Sequence, residues 1–303
     1  MQSETVQKYS DGKKLLEYLK LMRVKHYIKN LLIFLPLIFS MNFYNWSMDV
    51  KVILGFIAFS LTCSIVYIIN DIQDVEKDRK HPKKCKRPIA AGTVSKKEAY
   101  VLAAVLLVII VAINILGKLN IASMGILLLY LVLNILYSKK LKQVPLVDLV
   151  ILVTCFVLRV VYGALVIDVL VSHWLYLTII SFSFYLSLGK RRNEMTKVEE
   201  SEKNTREVLK YYTKDFLDKN MYMCLALTIV FYSLWCVDSI TAEKFNVNYL
   251  IWTIPLLIVI CMKYSLNIEG DSYGDPVDVV LSDKILIALV ILYCISIGMI
   301  ILL

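Results

Sequence analysis

The sequence lacks the residue patterns that mark several common kinds of active site. Its three histidines are scattered at positions 26, 81 and 173, and this spacing excludes a histidine zinc site. Its seven cysteines lie singly and mostly inside apolar runs, so neither a disulfide framework nor a thiolate metal site is predicted. No glycine-rich phosphate loop of the Walker type occurs. These absences exclude zinc-dependent enzymes and P-loop nucleotide-binding proteins.

Long polar stretches are also scarce, because 58% of the 303 residues are hydrophobic. Apolar runs of this number and length are typical of a polytopic membrane protein and are rare in soluble proteins. The first 20 residues are polar and contain no apolar core, so no cleaved signal peptide is expected. The basic residues are not gathered on a soluble module, which excludes nucleic acid as a partner.

Nine apolar segments approach the length of about 20 residues that a membrane-spanning helix needs. They run over residues 30–46, 51–69, 99–117, 121–137, 145–167, 173–189, 220–238, 248–265 and 284–303. The predicted fold class is therefore all-α, a single bundle of about nine transmembrane helices. We expect residues 1–28 to form a cytoplasmic N-terminal arm and residues 29–303 to form the transmembrane domain.

The Lys and Arg residues are distributed unevenly between the two sides of this bundle. Thirty of the 34 lie in the N-terminal arm and in the connections after even-numbered spans, whereas Lys51, Lys118 and Lys244 lie in the other connections. By the positive-inside rule, the N-terminus is predicted to be cytoplasmic. The positive charge can act only to orient the protein in the membrane, or it can also attract a polyanionic substrate.

The connection after the second span opens with the polar residues Asn70, Asp71, Asp74 and Asp78. On a continuous helix these four side chains fall within an arc of about 100°. Carboxylates on one face repel one another unless a cation compensates them. Hard oxygen ligands suit Mg²⁺, which usually takes one or two carboxylates together with substrate phosphates. We predict a Mg²⁺–diphosphate site with Asp71, Asp74 and Asp78 as metal ligands and catalytic residues, assisted by Asn70.

Cations follow the acidic group within the same connection, residues 70–97, and again in the next connection, residues 137–148. A metal-bound diphosphate also needs Lys or Arg contacts, and Arg87 is the candidate in the first connection. In the second connection Lys142 can neutralise a phosphate, and Tyr137 is a candidate substrate-binding residue. The alternative for Tyr137 is an aromatic residue that only marks the membrane interface.

Two ionisable residues, Asp148 and Arg159, lie inside the fifth span and on nearly the same helix face. Charged groups within a span are costly, and they usually pair with each other or line a cavity. Arg159 therefore either binds substrate or completes a buried ion pair with Asp148. The sequence leaves both alternatives open.

The connection after the sixth span, residues 189–219, begins with three consecutive cations. Lys190, Arg191 and Arg192 point in different directions on a helix, so at most two of them can serve one site. We predict that Lys190 and Arg191 bind substrate, with the alternative that the helix dipole alone favours cations there. The acidic loop at residues 267–278 is interpreted as either a lid or a structural loop.

The motif Asn70-Asp71-x-x-Asp74-x-x-x-Asp78 at the end of the second of nine spans resembles that of the UbiA superfamily of intramembrane prenyltransferases. Further stretches are similar to its decaprenyl-phosphate phosphoribosyltransferase branch. These stretches are Arg23–Asn30, Asn70–Gly92, Tyr137–Lys142, Val157–Arg159, Tyr162–Asp168 and Leu188–Arg192.

The resemblance implies that 5-phosphoribose is transferred from phosphoribose diphosphate to a polyprenyl phosphate, with Mg²⁺ as cofactor, for the synthesis of cell-envelope polysaccharide precursors. It implies a bacterial inner-membrane protein with its active site on the cytoplasmic side, and it is compatible with a homo-oligomer. Phosphate contacts are then expected from Lys29, Arg87, Lys142, Lys190 and Arg191.

The chain departs from the wider superfamily after the sixth span, where typical members carry a second Asp-rich motif. Lys190, Arg191 and Arg192 stand there instead, which suggests direct recognition of a phosphate. One alternative is an ordinary prenyltransferase that joins a prenyl diphosphate to an aromatic or other acceptor, and acids at this place would favour it. The other is a cation-coupled transporter, which would need midplane charges and internal repeats that the sequence does not show.

Overall fold

The computed structural model describes residues 14–41, 45–82, 84–200, 207–239, 241, 243, 249–270 and 275–302, and the structural statements below refer to these residues. The α-helices are α1 (Leu35–Phe39), α2 (Trp46–Gln73), α3 (Val75–Arg79), α4 (Lys96–Leu116), α5 (Ile121–Lys139), α6 (Val147–Ile167), α7 (His173–Glu200), α8 (Lys214–Val237), α9 (Ile254–Glu269), α10 (Pro276–Ser282) and α11 (Lys284–Leu302).

Short 3-10 helices connect several of these elements, and residues 14–22 are also helical. The 3-10 helices are Val24–Phe34, Lys84–Lys86, Leu141–Gln143, Glu207–Tyr211 and Tyr249–Thr253. Parts of seven predicted segments lie outside the described residues. These parts are 1–13 of the arm, 42–44, 248 and 303 of three predicted spans, 83 of the connection after the second span, 201–206 of the connection after the sixth span, and 271–274 of the acidic loop.

Six helical segments among the described residues are long and apolar enough to cross a membrane, and the bent pair of α10 and α11 would make a seventh. The span predicted at 30–46 is instead the 3-10 helix Val24–Phe34 followed by the short α1. The span predicted at 173–189 lies within α7, which continues into charged residues. The all-α membrane architecture is confirmed, whereas the count of nine spans and the cytoplasmic N-terminus stay predictions.

The first of two compact units comprises Met1–Leu35, Asn45–Ser138 and Tyr162–Asp168, as far as they are described. Within this unit α2 packs against α4 and against the 3-10 helix Val24–Phe34. The start of α4 is fixed by a capping box, in which Ser95 Oγ accepts from the Glu98 backbone N–H and the Glu98 carboxylate accepts from Ser95 N–H at 2.8 Å.

Residues 14–28, which were predicted to form a separate arm, pack within the first unit. Leu21 is fully buried, and the hydroxyl groups of Tyr27 and Ser64 share a hydrogen bond of 2.7 Å. A buried polar group without such a partner costs about 1–3 kcal/mol, so this bond ties the segment to α2. The segment that precedes the first apolar run is therefore part of the folded unit.

The second unit comprises Pro36–Tyr44, Lys139–Val161 and Val169–Leu303, again as far as they are described. Within it α7 packs along α8, and α9 contacts both helices. Gly189 permits the close approach of α7 and α9, because a Cβ at this position would lie 2.6 Å from Ile268 Cδ1. Since α7 continues to Glu200, the first part of the connection predicted at 189–219 is helical.

The packing of the first unit predicts a specific sensitivity at Gly163, where a Cβ would lie 2.2 Å from the Ile33 carbonyl oxygen. Because a backbone oxygen cannot move aside as a flexible side chain can, we expect Gly163→Ala to destabilise the protein by about 1–3 kcal/mol. The measurement is the midpoint of thermal denaturation in detergent. Gly125→Ala is the matched control, since nothing lies within 4 Å of its added Cβ. Equal midpoints for the two variants would contradict this account of the packing.

Candidate functional site

The helix that carries the acidic motif is interrupted at Asp74, so the predicted continuous helix through Asp78 is wrong at this residue. Helix α2 ends at Gln73 and α3 begins at Val75, with Asp74 at φ −91° and ψ 6° between them. The spacing of one turn is nevertheless kept, because Asp74 N–H donates to Asn70 O at 2.9 Å and Asp78 N–H donates to Asp74 O at 2.8 Å. The interruption at Asp74 therefore leaves the hydrogen-bonded spacing of these residues intact.

Two of the three predicted metal ligands, Asp71 and Asp78, are joined by arginine. Arg87 Nη1 donates to Asp71 Oδ1 at 3.1 Å and to Asp78 Oδ2 at 2.7 Å, so one nitrogen bridges both carboxylates. Arg23 Nη2 donates to the same oxygen of Asp71 at 2.5 Å. We call these four residues the carboxylate–arginine cluster. Its two positive charges balance its two negative charges, which removes the repulsion expected between neighbouring acids.

The acids of this cluster are much less accessible than the arginines. The side chains of Asp71 and Asp78 are 2% and 4% exposed, whereas those of Arg23 and Arg87 are 22% and 28% exposed. Buried carboxylates are stable only when they are paired with cations or hydrogen-bond donors, and the two guanidinium groups supply both. An approaching ligand therefore meets the guanidinium groups as well as the carboxylates.

Asp74 differs from the other two acids of the motif. Its side chain is half-buried and makes no hydrogen bond or ion pair within the described residues. No group of three or more metal-ligating side chains is found in the described part of the chain, so the predicted three-carboxylate set is not assembled. The donor set still fits Mg²⁺, which needs only one or two carboxylates in addition to phosphate oxygens. Asp71 and Asp78 are close enough for one atom to touch both.

Arg23 contacts Asp71 directly but was not among the predicted site residues. The two residues lie 48 positions apart in the sequence. It follows the helical residues 14–22 in a left-handed conformation with φ 53°, and its guanidinium carbon lies 4.6 Å from the centre of the Tyr67 ring. Spacing along the chain does not reveal such a contact. The Arg23–Asn30 stretch of the family resemblance does include Arg23, but Lys29 alone within this stretch was predicted to contact a phosphate.

In the second unit, one of the three cations after the sixth predicted span, Arg191, belongs to a deeply buried network of hydrogen bonds and ion pairs. Arg191 Nε donates to Asp148 Oδ2 at 2.7 Å, and Arg191 Nη1 donates to Glu194 Oε2 at 2.7 Å. Tyr212 OH donates to the other oxygen of Asp148 at 2.6 Å. We call these four residues the Asp148 network. The side chains of Asp148 and Arg191 have no exposed surface, so their pairing compensates two charges that are removed from water.

Tyr212 is held as a hydrogen-bond donor in this network. Burial, together with its hydrogen bond to Asp148, raises the pKa of Tyr212 to about 12. Its oxygen also accepts a hydrogen bond of 2.7 Å from the Leu146 backbone N–H. Tyr212 therefore links the beginning of α6 to the segment before α8.

These contacts bear on the expectations for two arginines of the second unit. Asp148 pairs with Arg191 and not with Arg159, so of the two alternatives left open for Arg159 the ion pair with Asp148 is wrong. Arg159 is buried, donates to the Cys155 carbonyl one turn earlier and lies 5.6 Å from the centre of the Phe156 ring. Arg191 is enclosed between the carboxylates of Asp148 and Glu194, so its environment does not match that of a group that contacts a phosphate. Its structural role is to join α7 to α6 through Asp148.

The cations on either side of Arg191 also have acidic partners. Lys190 Nζ lies 3.4 Å from Asp275 Oδ2, and its side chain is 26% exposed. Arg192 pairs with Asp218 and lies 3.8 Å from Glu269. Of the three cations, Lys190 is the most accessible and keeps the weakest contact, so it remains the candidate for phosphate binding.

The remaining predicted residues are all half-buried: Asn70 at the end of α2, Lys29 in the 3-10 helix Val24–Phe34, Tyr137 in α5, and Lys142 in the 3-10 helix Leu141–Gln143. Lys29 and Tyr137 belong to the first unit and Lys142 belongs to the second. Half-burial leaves part of each side chain accessible to a ligand. Their roles stay predictions.

A comparison with known protein families matches residues 31–278 to the UbiA prenyltransferase family. The chain belongs to this family. It is therefore a membrane-embedded transferase, as the sequence predicted.

Relatives within this family are similar over most of the chain. The decaprenyl-phosphate phosphoribosyltransferase of Mycolicibacterium smegmatis is 31% identical over 291 residues, which cover 92% of this chain and 91% of that protein. The enzyme of the same name from Corynebacterium glutamicum is 30% identical over 282 residues, which cover 91% of this chain and 85% of that protein.

Solved structures of the UbiA family share the fold. A UbiA homologue from Archaeoglobus fulgidus, bound to GPP and Mg²⁺, superposes with a TM-score of 0.64 at 18% identity and covers 93% of this chain and 99% of that one. A structure of digeranylgeranylglyceryl phosphate synthase superposes with a TM-score of 0.64 at 21% identity and covers 96% and 100% of the two chains. The Archaeoglobus homologue is also solved with Cd²⁺, so divalent-metal binding occurs within this fold.

The Asp148 network predicts that substitution of Tyr212 lowers the thermal stability of the protein and that substitution of the neighbouring Tyr211 does not. We expect Tyr212→Phe to lower the thermal midpoint in detergent, because one oxygen of the buried Asp148 and the Leu146 N–H lose their partner, at a cost of about 1–3 kcal/mol. Tyr211→Phe, at a position that is 71% exposed, is the control and should leave the midpoint unchanged. A Tyr212→Phe protein as stable as the control would show that the network contributes little.

Proposed function

We propose that this transferase moves 5-phosphoribose from phosphoribose diphosphate to the phosphate of a decaprenyl-type polyprenyl phosphate. The observation that carries this proposal is the 31% identity to a decaprenyl-phosphate phosphoribosyltransferase over 92% of this chain. Lys190 in α7 is in accord with it, because this accessible cation stands where the resemblance to the wider superfamily leads one to expect acids.

In the proposed reaction, the bond between C1 of ribose and the diphosphate oxygen breaks, and its electron pair leaves with the diphosphate. A phosphate oxygen of the lipid then forms the new bond to C1. This nucleophile is already anionic, so no strong general base is needed, and the scattered histidines agree with that. Bound Mg²⁺ would supply stabilisation of the negative charge on the departing diphosphate.

The residues of the first unit are proposed to hold the diphosphate end of the donor. Asp71 and Asp78 would provide carboxylate oxygens for the metal, and Asp74 has an oxygen pair without a protein partner among the described residues. Arg87 and Lys29 would neutralise phosphate oxygens. Fixed charges that are already in place need little reorganisation when negative charge develops on the leaving group.

Further roles are proposed for residues outside the carboxylate–arginine cluster. Lys142 and Lys190 are proposed to neutralise another phosphate group, and Asn70, Tyr137 and Arg159 stay proposed substrate-binding residues. From the distribution of Lys and Arg, we propose that this chemistry takes place on the cytoplasmic side of a bacterial inner membrane. The product would serve as a precursor of cell-envelope polysaccharide.

The direct test is a transfer assay with purified protein in detergent, Mg²⁺, polyprenyl phosphate and radiolabelled phosphoribose diphosphate. We expect label to move into the lipid phase, and chelation of the metal should stop the transfer. Prenyl diphosphate with an aromatic acceptor is the parallel reaction. Turnover of that pair, with none of the phosphoribosyl pair, would replace this proposal with an ordinary prenyltransferase.

The metal hypothesis also predicts a large effect at Asp74. Asp74→Asn removes one negative charge and preserves size, so we expect kcat to fall by roughly 100-fold or more, as is typical when a group that stabilises the transition state is lost. Glu76→Gln, two positions away on the exposed side of α3 and paired with Arg79 at 3.2 Å, is the matched control and should retain normal turnover. Near-normal activity of the Asp74→Asn enzyme would remove Asp74 from the catalytic group.

A further inference from the structure

The arginines of the carboxylate–arginine cluster occupy one oxygen atom of each carboxylate. Asp71 Oδ1 accepts hydrogen bonds from both Arg23 and Arg87, and Asp78 Oδ2 accepts one from Arg87. A divalent cation that binds both carboxylates must displace the guanidinium groups from these oxygens or bind the other oxygens directly beside them. The arginines and the metal therefore compete for the same two carboxylates.

The charge balance of the cluster disfavours a bare metal ion. Two carboxylates and two guanidinium groups sum to a net charge of about zero, so Mg²⁺ gains little from entering alone. It would lie within a few ångströms of two fixed positive charges, because Arg87 bridges both acids. At such distances one unit charge changes the binding of a divalent ion by roughly tenfold or more, even with strong solvent screening.

A bound diphosphate adds negative charge to the cluster and so favours the binding of a divalent cation. Guanidinium groups bind phosphate oxygens in paired hydrogen bonds at least as well as they bind carboxylates. Arg23 and Arg87 are the more exposed partners in the cluster, so their guanidinium groups are accessible to an incoming anion. When they transfer to phosphate oxygens, the carboxylate oxygens become available to the metal.

We propose that Arg23 and Arg87 make the binding of a divalent cation by Asp71 and Asp78 depend on diphosphate. A bare cation binds weakly because the arginines hold the carboxylates, whereas the cation and the diphosphate together bind tightly because the arginines move to the phosphates. This inference rests on the proposed role of the cluster as the diphosphate site, whichever group the diphosphate carries.

Arg23 is fixed in its position by contacts of its own, which distinguishes it from an ordinary surface cation. Its backbone lies in the left-handed region with φ 53°, the His26 N–H donates to its carbonyl at 2.9 Å, and its guanidinium carbon lies 4.6 Å from the centre of the Tyr67 ring. A cation over an aromatic face gains a further favourable contact. The side chain is thus directed to Asp71 by the fold.

The test measures binding and requires no turnover. Bound Mn²⁺ is measured by electron paramagnetic resonance, and bound ³²P-labelled inorganic diphosphate by equilibrium dialysis, on the full chain in detergent. For Arg23→Gln we expect Mn²⁺ alone to bind roughly tenfold more tightly, because one competing charge is gone while Arg87 still pairs with Asp71. The same variant should bind the Mn²⁺–diphosphate complex roughly tenfold more weakly, because one phosphate contact is lost.

Three further variants separate charge from shape. Arg23→Lys keeps the charge and should bind Mn²⁺ alone nearly as weakly as the natural protein. Arg87→Gln repeats the test at the bridging arginine and should shift both affinities in the same directions as Arg23→Gln. Arg79→Gln is the matched control, since Arg79 lies one residue after Asp78, pairs with Glu76, and should leave both affinities unchanged.

The decisive quantity is the thermodynamic coupling between metal and diphosphate, which is the factor by which each ligand changes the affinity of the other. This factor must be the same in both directions. Diphosphate alone also loses a contact in Arg23→Gln, so the proposal requires the coupling to fall by roughly tenfold or more in this variant and to stay unchanged in Arg79→Gln. Unchanged or weaker binding of Mn²⁺ alone to both glutamine variants would overturn it. Failure of phosphoribosyl transfer would leave these binding results untouched, so the two proposals fail separately.

Discussion

The compensation of two buried carboxylates by two arginines is the interaction on which the candidate site depends. Asp71 near the end of the apolar helix α2 and Asp78 in the short helix α3 have almost no exposed surface, and ionised acids persist in such a place only beside cations. Arg87 reaches both acids from the loop before α4, and Arg23 reaches Asp71 from the segment that precedes the first apolar run. Charge balance thus fixes the positions of three separate parts of the first unit.

The second unit satisfies the same electrostatic requirement with the signs reversed. There a fully buried cation, Arg191, is enclosed by the carboxylates of Asp148 and Glu194, and Tyr212 completes the hydrogen bonding of Asp148. Removing one partner from such a group leaves a buried charge without compensation, which costs more than the pair contributes. These residues therefore join α6 to α7, the helix that carries Lys190.

The sequence predicted the features that local rules determine. Apolar length predicted the membrane helices, and the seven-residue separation of Asp71 and Asp78, about two helical turns, predicted that they lie near each other. It did not predict the interruption at Asp74, because no proline or glycine lies between Asn70 and Asp78 to indicate a helix break. The pairing of Asp71 with Arg23 and of Asp148 with Arg191 was missed because these contacts join residues 48 and 43 positions apart, and only tertiary packing decides which of many charges meet.

The most direct measurement is an experimental structure of the protein with Mn²⁺ and inorganic diphosphate, in which anomalous scattering locates the metal. The account predicts that Mn²⁺ lies against the carboxylates of Asp71 and Asp78 and that the guanidinium groups of Arg23 and Arg87 contact diphosphate oxygens. Metal and diphosphate bound elsewhere, with both arginines still paired to these carboxylates as they are here, would contradict it.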